Sequence, residues 1–181
     1  MSTPPAGGPP DRVVILGLGL IGGSLARDLA ALDVPVAAAD LDPARVTAAL
    51  YEGVVRESLD PRAPELRARD LVVLAVPVGA APELVRHLAP LLPPDAVLTD
   101  VGSTKRDIVA AARAAGIPGR FVGAHPMAGS HTAGWSASRQ GLFRDARVWL
   151  CPAAASAEAH HRVRAMWESV GARPEIVDPD D

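Results

Sequence analysis

Val13-Val14-Ile15-Leu16-Gly17-Leu18-Gly19-Leu20-Ile21-Gly22 is the stretch that decides the fold. A four-residue apolar run reads as a buried strand, and the three glycines after it fall in the spacing Gly-x-Gly-x-x-Gly. The pattern from Leu20 to about Ala31 is that of an amphipathic helix. A second apolar run, Val34 to Ala39, then ends in Asp40. Each glycine has a separate physical task in such a unit. Gly17 turns the chain off the strand, Gly19 leaves a pyrophosphate unobstructed, and Gly22 lets the helix lie against the sheet. The first N–H groups of the helix, Leu20 and Ile21 among them, then face an anion at the positive end of the helix dipole. Asp40 lies about 20 residues beyond the glycines, where a carboxylate accepts hydrogen bonds from a ribose 2′-hydroxyl and repels a 2′-phosphate. The expectation is a βαβ dinucleotide-binding unit that takes NAD rather than NADP.

Working outward, Asp42-Pro43 caps a short helix to about Glu52, and Gly53 ends it. Val54 to Arg69 is polar and broken by proline. Leu71 to Val76 is a continuous apolar run of the kind found in buried parallel strands, and Pro77 stops it. Ligands of open parallel sheets bind beyond the carboxyl ends of strands, so Val76 and Pro77 are expected against the cofactor. A helix from Pro82 to Leu92 carries His87, which reads as a surface residue. Further strands are expected at Ala96–Val101, Phe121–Ala124, Val148–Cys151 and Pro174–Val177, with helices from the Lys105 region to Ala115 and from Ser156 to Val170. This alternation gives an α/β, doubly wound, mostly parallel Rossmann-type sheet over residues 11–181.

Composition narrows the partners. Hydrophobic residues are 49% of the 181, many of them alanine, and the net charge is −3, with no basic run interleaved with aromatics. Neither nucleic acid nor an anionic membrane surface is an expected partner, and a small molecule is. Cys151 stands alone and forms no internal disulfide, and no apolar run approaches the ~20 residues of a membrane span. Met1 to Pro10 is rich in proline and glycine, without the charged and apolar regions of a signal peptide, and reads as a disordered tail on a cytoplasmic protein. No metal site is expected. Lys105 is the single lysine among eighteen basic residues, which reads either as chance in an arginine-rich chain or as a residue the chain requires.

Two further loops at strand ends carry polar groups: Asp100-Val101-Gly102-Ser103-Thr104-Lys105 and His125-Pro126-Met127-Ala128-Gly129-Ser130-His131. Ser103 reads either as a cap for the next helix, with Thr104 and Asp107 resembling a capping box, or as a hydroxyl bonding a catalytic group; both hold if it starts a helix facing the site. His125 has an ordinary pKa near neutrality, which suits a base that takes a hydroxyl proton while hydride leaves the same carbon.

Gly-Leu-Gly-Leu-Ile-Gly-Gly-Ser, Asp-Val-Gly-Ser-Thr-Lys and Gly-Ala-His-Pro-Met-Ala-Gly-Ser, in that order, resemble the prephenate/arogenate dehydrogenase family over nearly the whole chain. The first motif is shared with many dehydrogenases, whereas the other two together are specific. The resemblance implies NAD-dependent oxidative decarboxylation of prephenate to 4-hydroxyphenylpyruvate in tyrosine biosynthesis. It implies that His125 is the base and that Ser103 bonds both that histidine and the substrate hydroxyl, while Asp100 and Lys105 hold their loop. Lys105 and Arg106 are expected to belong to the following helix rather than to the pocket. His131 stands where many members carry Glu, and as a substrate-binding residue it would hold a carboxylate only when protonated. The family also has a C-terminal helical domain that dimerises and supplies an arginine to the substrate. The ending Asp178-Pro179-Asp180-Asp181 reads as the start of a linker towards such a domain, which is absent from this chain. Arogenate dehydrogenase, a β-hydroxyacid dehydrogenase and a non-catalytic NAD-binding module are the alternatives; intact Ser103 and His125 argue against the last.

Overall fold

The computed structural model of the protein describes residues 10–129 and 132–178. The elements in chain order are β1 (Val13–Leu16), α1 (Leu20–Ala31), β2 (Val36–Ala39), α2 (Pro43–Tyr51), β3 (Glu57–Ser58), β4 (Leu71–Leu74), α3 (Ala81–Leu88), β5 (Val97–Asp100), α4 (Arg106–Ala114), β6 (Phe121–Pro126), β7 (Arg147–Cys151), α5 (Ala157–Ser169) and β8 (Arg173–Ile176). They form one sheet in the order β3-β2-β1-β4-β5-β6-β7-β8. The first six strands are mutually parallel, and β7 and β8 run the other way, β7 pairing antiparallel with β6. The sheet is therefore doubly wound and mostly parallel, as expected. Strands β1 and β4 read Val-Val-Ile-Leu and Leu-Val-Val-Leu and are buried at every position, because both faces of the sheet are covered.

Two apolar layers follow from the period of two along these strands. On one face Val13, Ile15, Val36 and Ala38 meet Leu25 and Leu29 of α1, Val46 of α2 and Met166 and Trp167 of α5. On the other, Val14, Leu16, Val72 and Leu98 meet Val85 and Leu88 of α3 and Ile108 of α4. Local signals stop and start the helices where they should. Asp42 accepts from the Ala44 N–H at 3.0 Å with Pro43 in the first turn, Ser156 accepts from Ala159 N–H at 3.1 Å, and Gly53 and Gly116 close α2 and α4 with φ of +72° and +75°.

Several expectations need correction. The polar stretch 54–69 contains the short edge strand β3, paired with Ala37 and Ala38 through backbone alone, which side-chain pattern does not report. β4 ends at Leu74 rather than Val76, and α3 ends at Leu88, where Ala89–Leu91 tightens into a 3-10 turn. β6 runs on through His125 and Pro126, because the antiparallel β7 pairs with it there, His125 opposite Trp149. α4 begins at Arg106 with Lys105 as its N-cap and no side-chain cap, so the expected capping box of Ser103, Thr104 and Asp107 does not form. The tail expected at residues 1–10 lies outside the described residues except for Pro10, as does Pro179-Asp180-Asp181. Among the described residues no helix is long and apolar enough to cross a membrane.

At the amino ends of the strands, Arg12 donates to Asp70 at 2.7 Å and to Glu57 at 3.0 Å, tying β1, β3 and β4 together. Asp70 is buried and also accepts the Arg67 N–H at 2.7 Å, so both sides of the pair are satisfied. Breaking such a pair on one side costs ~3–5 kcal/mol.

At Gly22, α1 comes close to the glycine turn after β1 and to the residue after β4. A Cβ there would lie 2.0 Å from the carbonyl oxygen of Gly17 and 2.8 Å from Ala75 Cβ, whereas one at Gly19 meets nothing within 4 Å. Gly22→Ala is expected to cost about 3 kcal/mol by overpacking, while Gly19→Ala leaves stability within about 0.5 kcal/mol. Urea denaturation of both variants checks this contrast; equal midpoints would contradict it.

Candidate active site

The glycine turn, the end of β2 and the loop after β4 enclose a cleft of about 1050 Å³ at the carboxyl ends of the strands. Gly17, Gly19, Leu20 and Ile21 line one side, Asp40 another, and Val76 and Pro77 a third. Gly22 does not line it and instead sets the distance between α1 and the sheet. Gly17 has φ +102° and a Cβ there would lie 2.3 Å from the Ala75 carbonyl oxygen, so only glycine turns the chain at this point. Gly19 is the N-cap of α1 without a side-chain cap, leaving the first N–H groups of the helix to face the cleft. This open cradle, with a carboxylate at one end, fits a dinucleotide's pyrophosphate and ribose.

Asp40 does more than its position at the strand end suggests. One carboxylate oxygen accepts the Leu18 N–H at 2.7 Å and the other the Asp42 N–H at 2.8 Å, so the acid also holds the glycine turn and the start of α2. Arg45 Nη1 stands 3.5 Å from it, and Arg45 lines the cleft too. The residue after Asp40, Leu41, carries no charge and is exposed at the rim, and the basic residue beside the acid comes from α2 instead.

The cleft continues over residues that sequence reading missed. Thr132, Ala133 and Gly134 form part of its wall. The segment behind them is fastened to α1: Ser24 Oγ accepts the Arg139 N–H at 3.0 Å, Asp28 accepts the Gly141 N–H at 2.6 Å, and Arg27 donates to Ser138 Oγ at 2.9 Å. Arg27 also lies over the Trp135 ring, 4.2 Å from its centroid, and Arg27 and Trp135 both donate to Glu52, at 2.6 and 2.9 Å. The Arg27 hydrogen bond holds the Glu52 carboxyl below its ordinary range. Burial pushes the Asp28 carboxyl up, and its second oxygen is buried without a partner. A signal was present in Arg27 and Asp28, two charges on a helix whose neighbouring positions are apolar.

His87 is exposed, as expected, and its ring nitrogen lies 2.5 Å from the Arg62 carbonyl oxygen at the cleft's outer edge. His125 and Ser103 are not among the residues that line the cleft. His125 is half-buried on β6, edge-on to Trp149 with ring centroids 5.7 Å apart. Burial, reinforced by the charge of Lys105, lowers its pKa; Asp100 opposes the shift. Ser103 is exposed in the loop before α4, and no hydrogen bond joins it to His125 among the described residues. His131 and Ser130 lie outside the described residues.

Beneath His125 lies a buried ion pair. β5 and β6 are paired only as far as Thr99 and Val122, and beyond them the carboxylate of Asp100 takes over, accepting the Ala124 N–H at 3.2 Å and the Gly102 N–H at 2.9 Å. Lys105 turns inward from the N-cap of α4 and donates to the same carboxylate. Its side chain is therefore buried rather than on the helix surface, and it is not among the residues that line the cleft. Burial pushes the Asp100 carboxyl up and the Lys105 ammonium down, and their pairing works against both shifts. A Cβ on Gly123 would lie 2.8 Å from the Lys105 stem, so the glycine before Ala124 makes room for the lysine.

The comparisons with known proteins agree with this geometry. The family model for the prephenate dehydrogenase nucleotide-binding domain matches residues 25–176. Prephenate dehydrogenase of Bacillus subtilis is 35% identical over 147 residues, covering 78% of this chain and 39% of that protein. Cyclohexadienyl dehydrogenase of Zymomonas mobilis is 34% identical over 171 residues, covering 90% of this chain and 56% of its own. The solved structure of prephenate dehydrogenase from A. aeolicus in complex with hydroxyphenyl propionate and NAD+ superposes with a TM-score of 0.84 at 28% identity, over 94% of this chain and 60% of that one. The chain thus spans about two fifths to three fifths of the length of these relatives. The family model matched over most of the chain and the relatives at 34–35% identity place the chain in the prephenate dehydrogenase family, as its NAD-binding domain.

Proposed function

We propose that this domain serves the NAD-dependent oxidative decarboxylation of prephenate to 4-hydroxyphenylpyruvate, the step of tyrosine biosynthesis that makes the ring aromatic. The observation that carries the reading is a half-buried His125 at the carboxyl edge of the sheet, beside the Asp100–Lys105 pair. NAD bound in the cleft supplies the acceptor for hydride from the ring carbon that bears the hydroxyl. Gly17, Gly19, Leu20 and Ile21 cradle its pyrophosphate, Asp40 takes the ribose hydroxyls, and Val76 and Pro77 border it. His125 takes the hydroxyl proton as the hydride leaves, and the ring carboxylate departs as carbon dioxide. The electron pair of the broken carbon–carbon bond completes the aromatic ring, and the imidazolium returns its proton to the phenolic oxygen. Ser103 orients the same hydroxyl by a hydrogen bond formed with substrate in place.

Arogenate offers the same ring to the same residues, with an amino group where prephenate has a keto group. NADH formation followed with each substrate in turn, with the domain joined to a C-terminal region of a family member, tests the reading. Turnover of neither, with NAD bound, would turn the assignment towards a non-catalytic module.

His125→Asn in such a complete enzyme is expected to lower turnover by ~10²- to 10⁴-fold while NAD affinity stays nearly intact; a loss confined to NAD affinity would refute the role.

The pH profile carries a sign. The base works as neutral imidazole, and burial lowers the pKa of His125 from its ordinary range. Activity is therefore expected to be full at neutral pH and to fall only as pH drops below the ordinary histidine value of about 6.5. A limb rising at or above that value would show that His125 is not the titrating base.

Substrate capture differs from cofactor capture. Prephenate carries two carboxylates, which need a paired cation when desolvated, and Lys105 is already committed to Asp100. The isolated chain is expected to bind NAD and to bind prephenate weakly. Calorimetric titration of both ligands decides it, and prephenate affinity typical of a working enzyme would overturn the expectation.

A further inference from the structure

The ribose end of the cleft contains a cation whose service the NAD reading does not use. Arg45 projects from the first turn of α2 into the cleft lining, its side chain 38% exposed. Its Nη1 is 3.5 Å from Asp40 and its Nε is 3.5 Å from Asp42. The first is a long hydrogen bond to the Asp40 oxygen that also accepts the Leu18 N–H, and both separations exceed the roughly 2.7–3.2 Å of a well-formed one, so the guanidinium is held loosely beside two carboxylates. Asp40 is by contrast held in place by one N–H on each oxygen, from Leu18 and Asp42, with lone pairs left for a ribose hydroxyl, and only 8% of its side chain is exposed.

We propose that Arg45 is a specificity-determining residue: a latent 2′-phosphate ligand, held out of use by the charge of Asp40. Two carboxylates against one guanidinium leave the ribose end net negative. A 2′-hydroxyl is welcome there, and a 2′-phosphate with nearly two negative charges is not. When the charge of Asp40 is removed, one guanidinium and one carboxylate remain, and the balance no longer repels an anion. A phosphate entering beside position 40 then meets a planar fork of donors already in place, at the N-terminal end of α2, a nine-residue helix. Asp42 is half exposed and engaged in capping α2, so it competes weakly for the guanidinium. The preference for NAD is therefore a single carboxylate deep, with the residue for the opposite preference already built. The inference rests on NAD occupying the cleft and is independent of which acid the enzyme oxidises.

The test is binding of NAD and NADP to the chain itself, by calorimetry. Asp40→Asn, which keeps an acceptor for the Leu18 N–H, and Asp40→Ser are measured beside the unmodified chain, and then each with Arg45→Ala, Arg45→Lys or Arg62→Ala added. Arg62 is the other guanidinium residue lining the cleft. The ratio of NADP to NAD affinity is expected to rise by about tenfold or more in the Asp40 variants, corresponding to ~1.4 kcal/mol. The gain should be lost with Arg45→Ala, partly kept with Arg45→Lys, unchanged with Arg62→Ala, and weakened by added salt. Three outcomes overturn the proposal: no gain in either Asp40 variant while NAD still binds, a gain that survives Arg45→Ala, or a gain that depends on Arg62. Failure to oxidise prephenate leaves the result standing, because the measurement is binding to a chain that needs no substrate.

Discussion

The site depends on a carboxylate placed where a strand should continue. Asp100 ends β5 with its oxygens directed at the Ala124 N–H, the Gly102 N–H and Lys105. The backbone ladder between β5 and β6 can then stop at Val122 without leaving a buried donor unpaired. The two parallel strands therefore part at their carboxyl ends with the Asp100–Lys105 ion pair between them, two strands away from the β1/β4 switch point at which the cleft opens. Pro126 fits the same scheme: alternation along β6 turns its missing N–H to the side of β5, where no strand remains to receive it. His125, one residue earlier, keeps its place on β7 opposite Trp149.

Small residues let charged and helical groups come close. Gly22 admits α1 to the turn that follows β1, and Gly123 admits the lysine stem to the back of β6. In both places the contact on the other side is with atoms that have little freedom to retreat, a backbone carbonyl in one case and a buried ion-paired side chain in the other. The placement of the N–H donors of α1 and of the charge beneath His125 is thereby fixed by exclusion of a methyl group, at distances where hydrogen bonding alone would tolerate some slack.

Much of the fold was legible because its signals are local and strong. The bounds of α1, the cap at Asp42, the closing glycines 53 and 116 and the presence of the buried strands follow from residue type and period. The cofactor cleft was legible for the same reason, since glycines, strand ends and Asp40 are tied to one supersecondary unit. β3 was not, because its two residues join the sheet by backbone bonds that side chains do not announce. The role of Lys105 was half legible: its singularity among arginines marked it, but its direction depends on Asp100 and Gly123, from two other elements. Arg45 lies five residues past Asp40, a spacing that becomes proximity only once α2 folds back over the strand end. Ser103 had two readings, and the helical one failed because the inward turn of Lys105 sets where α4 begins.

The fastening of residues 138–141 onto α1 has a consequence for motion. The amides of Arg139 and Gly141 donate to side chains of that helix, and neither can exchange its hydrogen with solvent until the segment parts from Ser24 and Asp28. A surface connection of this length would ordinarily be among the first parts of a protein to fray. Here every opening must first break two hydrogen bonds to the helix that carries the glycine turn, so amide exchange at residues 139 and 141 is slowed relative to a free surface loop.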